Sequence, residues 1–214
     1  FKEGVVWDWE SFPEYLARIQ KGLAINVGQL VGHSVLRLWV MGEAAMERTA
    51  NRQEIAEMQD LLRECLDAGA IGLSTSYVDR DETLKPVPSR YADADEVDAL
   101  ASVLSDYGRV LQIVPEFYDP DLTIARLDQL AELSIKYSIP TTFSPLFVSA
   151  DNVAAVERVM ARVDEQFARG ARVLDVHNCA IHFWAPNVIS TGAATVVIGG
   201  LPAARISDKT FWNV

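Results

Sequence analysis

The sequence predicts an α/β protein in which buried strands alternate with amphipathic helices, followed by a short β-rich segment. Apolar, strand-like runs begin near residues 24, 70, 110, 140 and 171, a pitch of about 30–45 residues that is typical of repeated βα units. Apolar strands flanked by helices indicate a parallel sheet that is covered on both faces. From residue 173 the helical periodicity stops, so we predict two domains, residues 1–172 with about five βα units and residues 173–214 as a small all-β module.

Helix signals separate the predicted strands. Ser11 is a suitable N-cap with Pro13 in the first turn, and in residues 51–68 apolar side chains recur at spacings of three and four until Gly69. The polar residues 76–91 hold two prolines and predict a long loop, of a kind that is often functional. The remaining predicted elements are strands at residues 23–31, 70–75, 110–114, 141–143 and 171–176, and helices at residues 93–107, 123–137 and 152–168.

The two predicted domains are both short. A closed (β/α)₈ barrel takes roughly 250 residues, so residues 1–172 form most of an open sheet or part of a barrel. In the last part, β-rich runs at residues 187–191, 195–198 and 203–206, with a turn at Gly199-Gly200, make a module of about 40 residues. Such a module needs a metal, an oligomer or a partner surface for stability.

The composition excludes several classes of protein. Half of the residues are apolar and 23% are charged, with a net charge of −11, which is ordinary for a packed soluble protein and argues against disorder. A block of basic residues and a run of 18 apolar residues are both absent from the sequence, so neither nucleic acid nor a membrane is a predicted partner. The charge lies entirely in residues 1–172, because Asp175 and Asp208 balance Arg205 and Lys209 in the remainder.

The cysteines and the first residues bear on location. Cys65 and Cys179 make no disulfide framework, so a reducing, cytoplasmic setting is expected, with Cys65 as a small buried apolar residue. The first ten residues lack the features of a signal peptide and are typical of the interior of a protein, so the chain is expected to be a fragment.

Four blocks in the first domain carry a family resemblance. They are residues 7–16 (WDWESFPEYL), 25–42 (INVGQLVGHSVLRLWVMG), 54–76 (EIAEMQDLLRECLDAGAIGLSTS) and 139–146 (IPTTFSPL). In order, spacing and identity they resemble the N-acyl-D-amino-acid deacylase (D-aminoacylase) group of the amidohydrolase superfamily. The resemblance implies a TIM-like barrel, of which residues 1–172 are a part, and a hydrolase of non-peptide C–N bonds that acts on N-acyl amino acids. It also implies zinc that activates water, with an Asp as general acid and base.

The residues that would hold the metal in such an enzyme are missing here. The His-x-His pair of the family's first strand is absent, and the strand whose counterpart carries a histidine in family members reads RVLQIVPEF. Residues 1–172 contain one histidine, His33. We therefore expect the barrel metal site to be incomplete and this chain to be inactive as a deacylase.

Several residues are candidates for a site at the carboxyl ends of the strands, each with a structural alternative. His33 is a candidate catalytic group, or a structural histidine in a glycine-bounded turn, and Asn26 on the preceding strand is a candidate substrate ligand. Arg37 either binds a substrate carboxylate or makes a structural salt bridge. Ser74 and Ser76 either face substrate or cap the following loop.

Glu116 and three aromatic residues also have both a functional and a structural interpretation. Glu116 ends the next strand and is a candidate catalytic acid/base or substitute metal ligand, with a solvated loop residue as the alternative. The aromatic residues Trp7, Trp9 and Phe12 are predicted to pack on the outer face rather than to bind ligand.

The tail has a resemblance of its own. Residues 175–182 (DVHNCAIH) and 192–208 (GAATVVIGGLPAARISD) resemble the PAAR-repeat family, whose members cap the spike trimer of type VI secretion systems and contractile phage tails. His177, Cys179 and His182 place three good zinc ligands within six residues, so we predict a structural zinc site without an evident fourth ligand. The alternative is that the three are incidental loop residues. The alternative function is thus a zinc-stabilised spike-tip protein with an enzyme-derived passenger, a trimeric spike as partner, and export by a contractile secretion system.

Overall fold

A computed structural model describes residues 8–21, 27–148, 153–175, 178–180, 187–189, 193–198, 201–203 and 210–212, with side chains in 8–21, 27–145 and 153–173. Helices and strands alternate along most of these residues. The helices are α1 (Phe12–Ile19), α2 (His33–Met41), α3 (Arg52–Asp67), α4 (Ala94–Tyr107), α5 (Pro120–Tyr137) and α6 (Val153–Ala168). The strands are β1 (Leu30–Gly32), β2 (Gly72–Ser76), β3 (Val110–Val114), β4 (Thr141–Phe143), β5 (Leu146–Val148), β6 (Val173–Asp175), β7 (Asn178–Ala180), β8 (Asn187–Ile189), β9 (Ala193–Ile198), β10 (Leu201–Ala203) and β11 (Thr210–Trp212).

The main sheet has the strand order β1-β2-β3-β4-β6, which follows the order of these strands along the chain. The β1–β2 pair is parallel, with Leu30 opposite Gly72, and the β4–β6 pair is parallel, with Thr141 opposite Val173. Successive parallel strands joined by helices are what repeated βα units produce. The predicted α/β class with a parallel sheet is therefore confirmed.

The chain divides into two compact units, each with its own core. The first unit contains residues 1–75 and 80–111, and the second contains residues 76–79 and 112–214. Fully buried apolar side chains fill the first unit, namely Leu36, Met58, Leu62, Leu73, Leu100 and Leu104. Those of the second unit are Ile113, Leu127, Leu130, Phe143 and Val163. The domain boundary that the sequence predicts near residue 172 stays a prediction.

Local capping explains where the helices begin and end. Ser11 and Asn51 each form a capping box with a glutamate three residues later, and Gly108 ends α4 in the left-handed conformation, with φ +60°. The starts of α1 and α3 and the end of α4 are therefore as predicted. Within the described residues, we find no helix that is both long and apolar enough to cross a bilayer.

Glu54, the glutamate of the second capping box, also makes stability depend on pH. Hydrogen bonds from Arg48, and then from the backbone of Asn51, lower the pKa of Glu54 from 4.5 to about 2. Because this carboxyl binds its proton less tightly in the folded chain, its contribution to stability is present above pH 4.5 and is lost as the pH falls toward 2. We predict that Arg48→Met makes the unfolding free energy fall less steeply with pH between 4.5 and 2. Urea titrations at several pH values measure this slope, and an unchanged slope would contradict the prediction.

The helix α2 is not predicted by the sequence analysis. It begins directly after β1, and its N-cap Gly32 provides no side-chain hydrogen bond. Its buried residues are His33, Leu36 and Arg37, two of which are polar, whereas the apolar residues Val35, Leu38 and Trp39 are exposed. An apolar stripe therefore does not mark its buried side. Of the strand predicted at residues 23–31, only Leu30 and Val31 lie in β1, and the described residues 27–29 form no strand. Residues 23–26 lie outside the described residues.

Short strand pairs occupy the described parts of the tail. The strands β9 and β10 pair antiparallel, as do β8 and β11, whereas β5 and β7 pair parallel. The strand β8 lies within the predicted run at residues 187–191, and β9 includes the predicted run at residues 195–198. The third predicted run, residues 203–206, lies mostly outside the described residues. A separate all-β module in this region stays a prediction.

Candidate functional site

Polar residues cluster where β2 ends in the first unit. The hydroxyl of Thr75 lies 2.9 Å from Nδ1 of His33, and Nε2 of His33 lies 2.7 Å from Oε1 of Glu96. The other carboxylate oxygen of Glu96 accepts a hydrogen bond from Arg37, whose Nη2 also donates to the carbonyl oxygens of Ala45 (3.3 Å) and Arg48 (2.7 Å). We call His33, Arg37, Thr75 and Glu96 the buried cluster.

Burial decides what the buried cluster can do. Arg37 and Glu96 are 0% exposed and His33 is 1% exposed, so in this structure none of the three is open to a substrate. A carboxylate only accepts hydrogen bonds, so Nε2 of His33 carries a proton. Burial by itself raises the pKa of Glu96, but hydrogen bonding to His33 and pairing with Arg37 outweigh burial and hold that pKa below its usual range. The cluster therefore ties the end of β2 to the starts of α2 and α4.

A second charged group follows β3 in the second unit. Glu116 accepts two hydrogen bonds from Arg126 of α5, at 2.7 and 3.3 Å, and the Arg126 guanidinium lies 3.6 Å from the centre of the Tyr77 ring. Both side chains of the ion pair are mostly buried, and burial raises the pKa of Tyr77. Thr123 donates its hydroxyl to the carbonyl oxygen of Glu116. The loop after β3 is therefore held to the beginning of α5, and the Glu116 carboxylate is engaged rather than solvated.

The other predicted substrate ligands have different surroundings. The hydroxyl of Ser76 accepts hydrogen bonds from the backbone N–H groups of Val78 (3.3 Å) and Asp79 (3.0 Å), which is the geometry of a loop cap. Ser74 is half-buried on β2. Asn26 lies outside the described residues. Roles of these three residues in substrate binding stay predictions.

The side chains that we can describe do not fit a metal centre of the amidohydrolase type. Within this part of the chain, no group of three or more His, Cys, Asp or Glu side chains could hold an ion. The donors nearest the strand ends, His33 and Glu116, are paired with Glu96 and Arg126. Cys65 is buried in α3, as predicted, and burial, with the nearby charge of Glu64, raises the pKa of its thiol to about 11.

The predicted zinc ligands of the tail lie outside the part of the chain with described side chains. His177 and His182 lie outside the described residues, and Cys179 lies in β7, where side chains are not described. The zinc site in residues 177–182 stays a prediction.

Two residues were not identified from the sequence, namely Glu96, which belongs to the buried cluster, and Arg126, which pairs with Glu116. Asp93 caps α4 by accepting a hydrogen bond from the backbone N–H of Glu96, so the local pattern predicts a solvated residue of the first helical turn. The Glu96 carboxylate is instead buried against His33 and Arg37 of α2, contacts that the local pattern does not predict. Arg126 lies ten residues after Glu116, a separation without a local signal.

The chain is similar to deacylases over about three quarters of its length. It is 29% identical over 171 residues to D-aminoacylase from Alcaligenes xylosoxydans xylosoxydans, covering 76% of this chain and 33% of that protein. It is 33% identical over 177 residues to an uncharacterized protein from Mycobacterium tuberculosis, covering 78% of this chain and 28% of that protein. No family model matches the chain. The chain thus spans about a third of the length of the curated relatives that it matches.

Solved structures extend the likeness to the fold. A D-aminoacylase described as having a binuclear metal centre superposes with a TM-score of 0.66 at 26% identity, covering 77% of this chain and 33% of that one. An N-acyl-D-glutamate deacylase from Bordetella bronchiseptica, solved with zinc and a phosphonate inhibitor, superposes with a TM-score of 0.63 at 24% identity, covering 77% of this chain and 33% of that one. The chain therefore has an α/β fold similar to the TIM-barrel-like domain of D-aminoacylase. None of these comparisons supports a PAAR-repeat segment.

Proposed function

We propose that this chain is part of an amidohydrolase that cleaves the amide bond of N-acyl-D-amino acids. The observation that carries the proposal is the joint likeness in sequence and fold to D-aminoacylase, at 29% identity over 171 residues and a TM-score of 0.66. Shorter matches, 38% identical over 84 residues to an N-acyl-D-glutamate deacylase and 43% over 88 residues to an N-acyl-D-aspartate deacylase, support the same substrate class.

The described residues hold backbone at strand ends in place but do not provide the catalytic groups of a substrate site. The buried cluster fixes the end of β2, and the Glu116–Arg126 pair fixes the loop after β3. Substrates of parallel α/β enzymes bind at the carboxyl ends of strands, so each contact holds, within its own unit, backbone of the kind that binds substrate in such enzymes. In this proposal His33 and Arg37 position the backbone and do not touch substrate.

We further propose that the 214-residue chain is not itself a deacylase. The chain contains three histidines, and the one among the described residues is paired with Glu96 and Thr75. A binuclear zinc centre needs several His, Cys or carboxylate ligands around an open position. The side chains described near the strand ends do not provide them.

The test is a hydrolysis assay on the purified chain. N-acetyl-D-glutamate, N-acetyl-D-aspartate and their L-enantiomers are incubated with and without added Zn²⁺, and the released amino acid is measured. We expect no turnover above the rate without protein, while Alcaligenes D-aminoacylase, assayed on its own substrate, serves as the positive control for assay and metal. Zinc-dependent turnover that is lost in Glu116→Gln would show that the chain does build an active site.

The alternative spike-tip function is not proposed. Its residues His177, Cys179 and His182 stay a sequence prediction, as does the partnership with a trimeric spike, because neither the described contacts nor the comparisons favour it.

A further inference from the structure

An aromatic-walled groove lies on the first unit, and its lining includes no residue of the buried cluster. It has a volume of about 690 Å³, within the range of about 300–1,000 Å³ that is usual for small-molecule sites. Its walls include the rings of Trp9, Phe12, Tyr15 and Trp39. The Tyr15 ring centre lies 5.4 Å from that of Trp9 and 6.0 Å from that of Phe12, so three of the four rings form one cluster.

The polar groups of the groove are few and of one charge. The hydroxyl of Tyr15 lies 3.3 Å from the side-chain oxygen of Gln29. The charged residues among the lining are Glu10 and Glu64, and the lining has no Lys, Arg or His. Among the residues that the structure describes, neither carboxylate has an ion-pair partner. Both residues are exposed, so both carboxylates are available to a ligand.

We propose that this groove binds an organic cation with an aromatic or branched apolar body, such as an arylalkyl ammonium ion. Ring faces of Trp and Tyr attract cations, and the apolar walls bury the body of such a ligand. The two carboxylates favour a positive charge and disfavour an anion, and the net charge of −11 adds to that preference. The site is independent of the deacylase proposal. It also gives Trp9 and Phe12 a ligand-binding role, where the sequence analysis predicted packing alone.

The ligand class follows from the combination of features. Apolar walls alone would accept a neutral aromatic compound or an apolar protein segment equally well. The carboxylates of Glu10 and Glu64 distinguish the cation from both, because only a cation gains from them.

The test is calorimetric titration of the full 214-residue chain with benzyltriethylammonium chloride at low ionic strength. We expect saturable binding of one equivalent, weakened about five- to tenfold by Trp39→Ala and up to about fivefold by Glu64→Gln. Raising the salt concentration should weaken binding in the wild type and less in Glu64→Gln. Glu43→Gln is the matched control, since Glu43 is exposed and does not line the groove.

One neutral and one anionic probe test whether binding depends on the charge of the ligand. If benzyl alcohol or phenylacetate binds as tightly as the ammonium ion, the groove selects apolar bodies without regard to charge, and the proposal is overturned. Absence of saturable ammonium binding to a chain with native circular dichroism would overturn it as well. Circular dichroism of each variant separates a loss of the site from a loss of folding.

Discussion

Replacing Arg37 by methionine is expected to lower the free energy of unfolding by about 3–5 kcal/mol. The change leaves the carboxylate of Glu96 in a site with 0% exposure, where His33 is its remaining side-chain partner in the buried cluster. It also removes the donor for the carbonyl oxygens of Ala45 and Arg48. Methionine retains most of the volume, so the loss reports the charge and the hydrogen bonds rather than a cavity. Urea unfolding followed by circular dichroism measures the change.

A matched surface ion pair tests whether burial is the cause of the expected loss of stability. Arg63 pairs with Asp60 in the same unit, but these side chains are 40% and 79% exposed, so Arg63→Met should cost at most about 1 kcal/mol. Adding Glu96→Leu to Arg37→Met should cost much less than Glu96→Leu alone. Alone, Glu96→Leu leaves the Arg37 guanidinium buried without its carboxylate, whereas the double variant buries neither charge. Equal losses for Arg37→Met and Arg63→Met would show that the buried pair does not stabilise the unit.

The sequence predicts the strands most accurately where apolar runs meet clear breakers. The observed β3 and β4 match the predicted residues 110–114 and 141–143, since Gly108 ends the preceding helix in one case and Pro140 precedes the strand in the other. By contrast, α2 has no capping side chain, and two of its three buried residues, His33 and Arg37, are polar, so apolar periodicity does not indicate its buried side. Elements bounded by local signals such as glycine and proline can thus be predicted from the sequence, whereas elements held in place by tertiary contacts cannot.

The candidate site shows the same division between local and long-range contacts. His33, Arg37 and Glu116 are recognisable from their positions near strand ends, but their partners lie on other elements, at separations that no local pattern indicates. Glu96 is 63 residues from His33, and Arg126 is ten residues from Glu116. Partnership decides whether a charged side chain is available for chemistry, so residue type and position could not distinguish the catalytic interpretation from the structural one. Only the contacts show that these side chains already have partners within the fold.

Phe143→Ala is the second substitution with a large expected effect, about 3–5 kcal/mol of unfolding free energy. Phe143 is 0% exposed on β4, in the core of the second unit. Removing the ring forfeits its contacts and leaves a cavity that the neighbouring strand and helices fill only in part. The urea midpoint should fall while the slope of unfolding with denaturant is retained.

Phe167 provides the comparison that isolates burial, because it is the same residue type in the same unit but 57% exposed on α6. Phe167→Ala should change stability by about 0.5 kcal/mol or less. The backbone N–H of Ser144, next to Phe143, donates to the carbonyl oxygen of Ile113, so loss of the ring should also speed hydrogen exchange at Ser144. If Phe143→Ala cost no more than Phe167→Ala, the ring would not be packed in the folded chain. The carboxyl end of β4 would then lack the rigid support that a substrate site of the proposed kind requires.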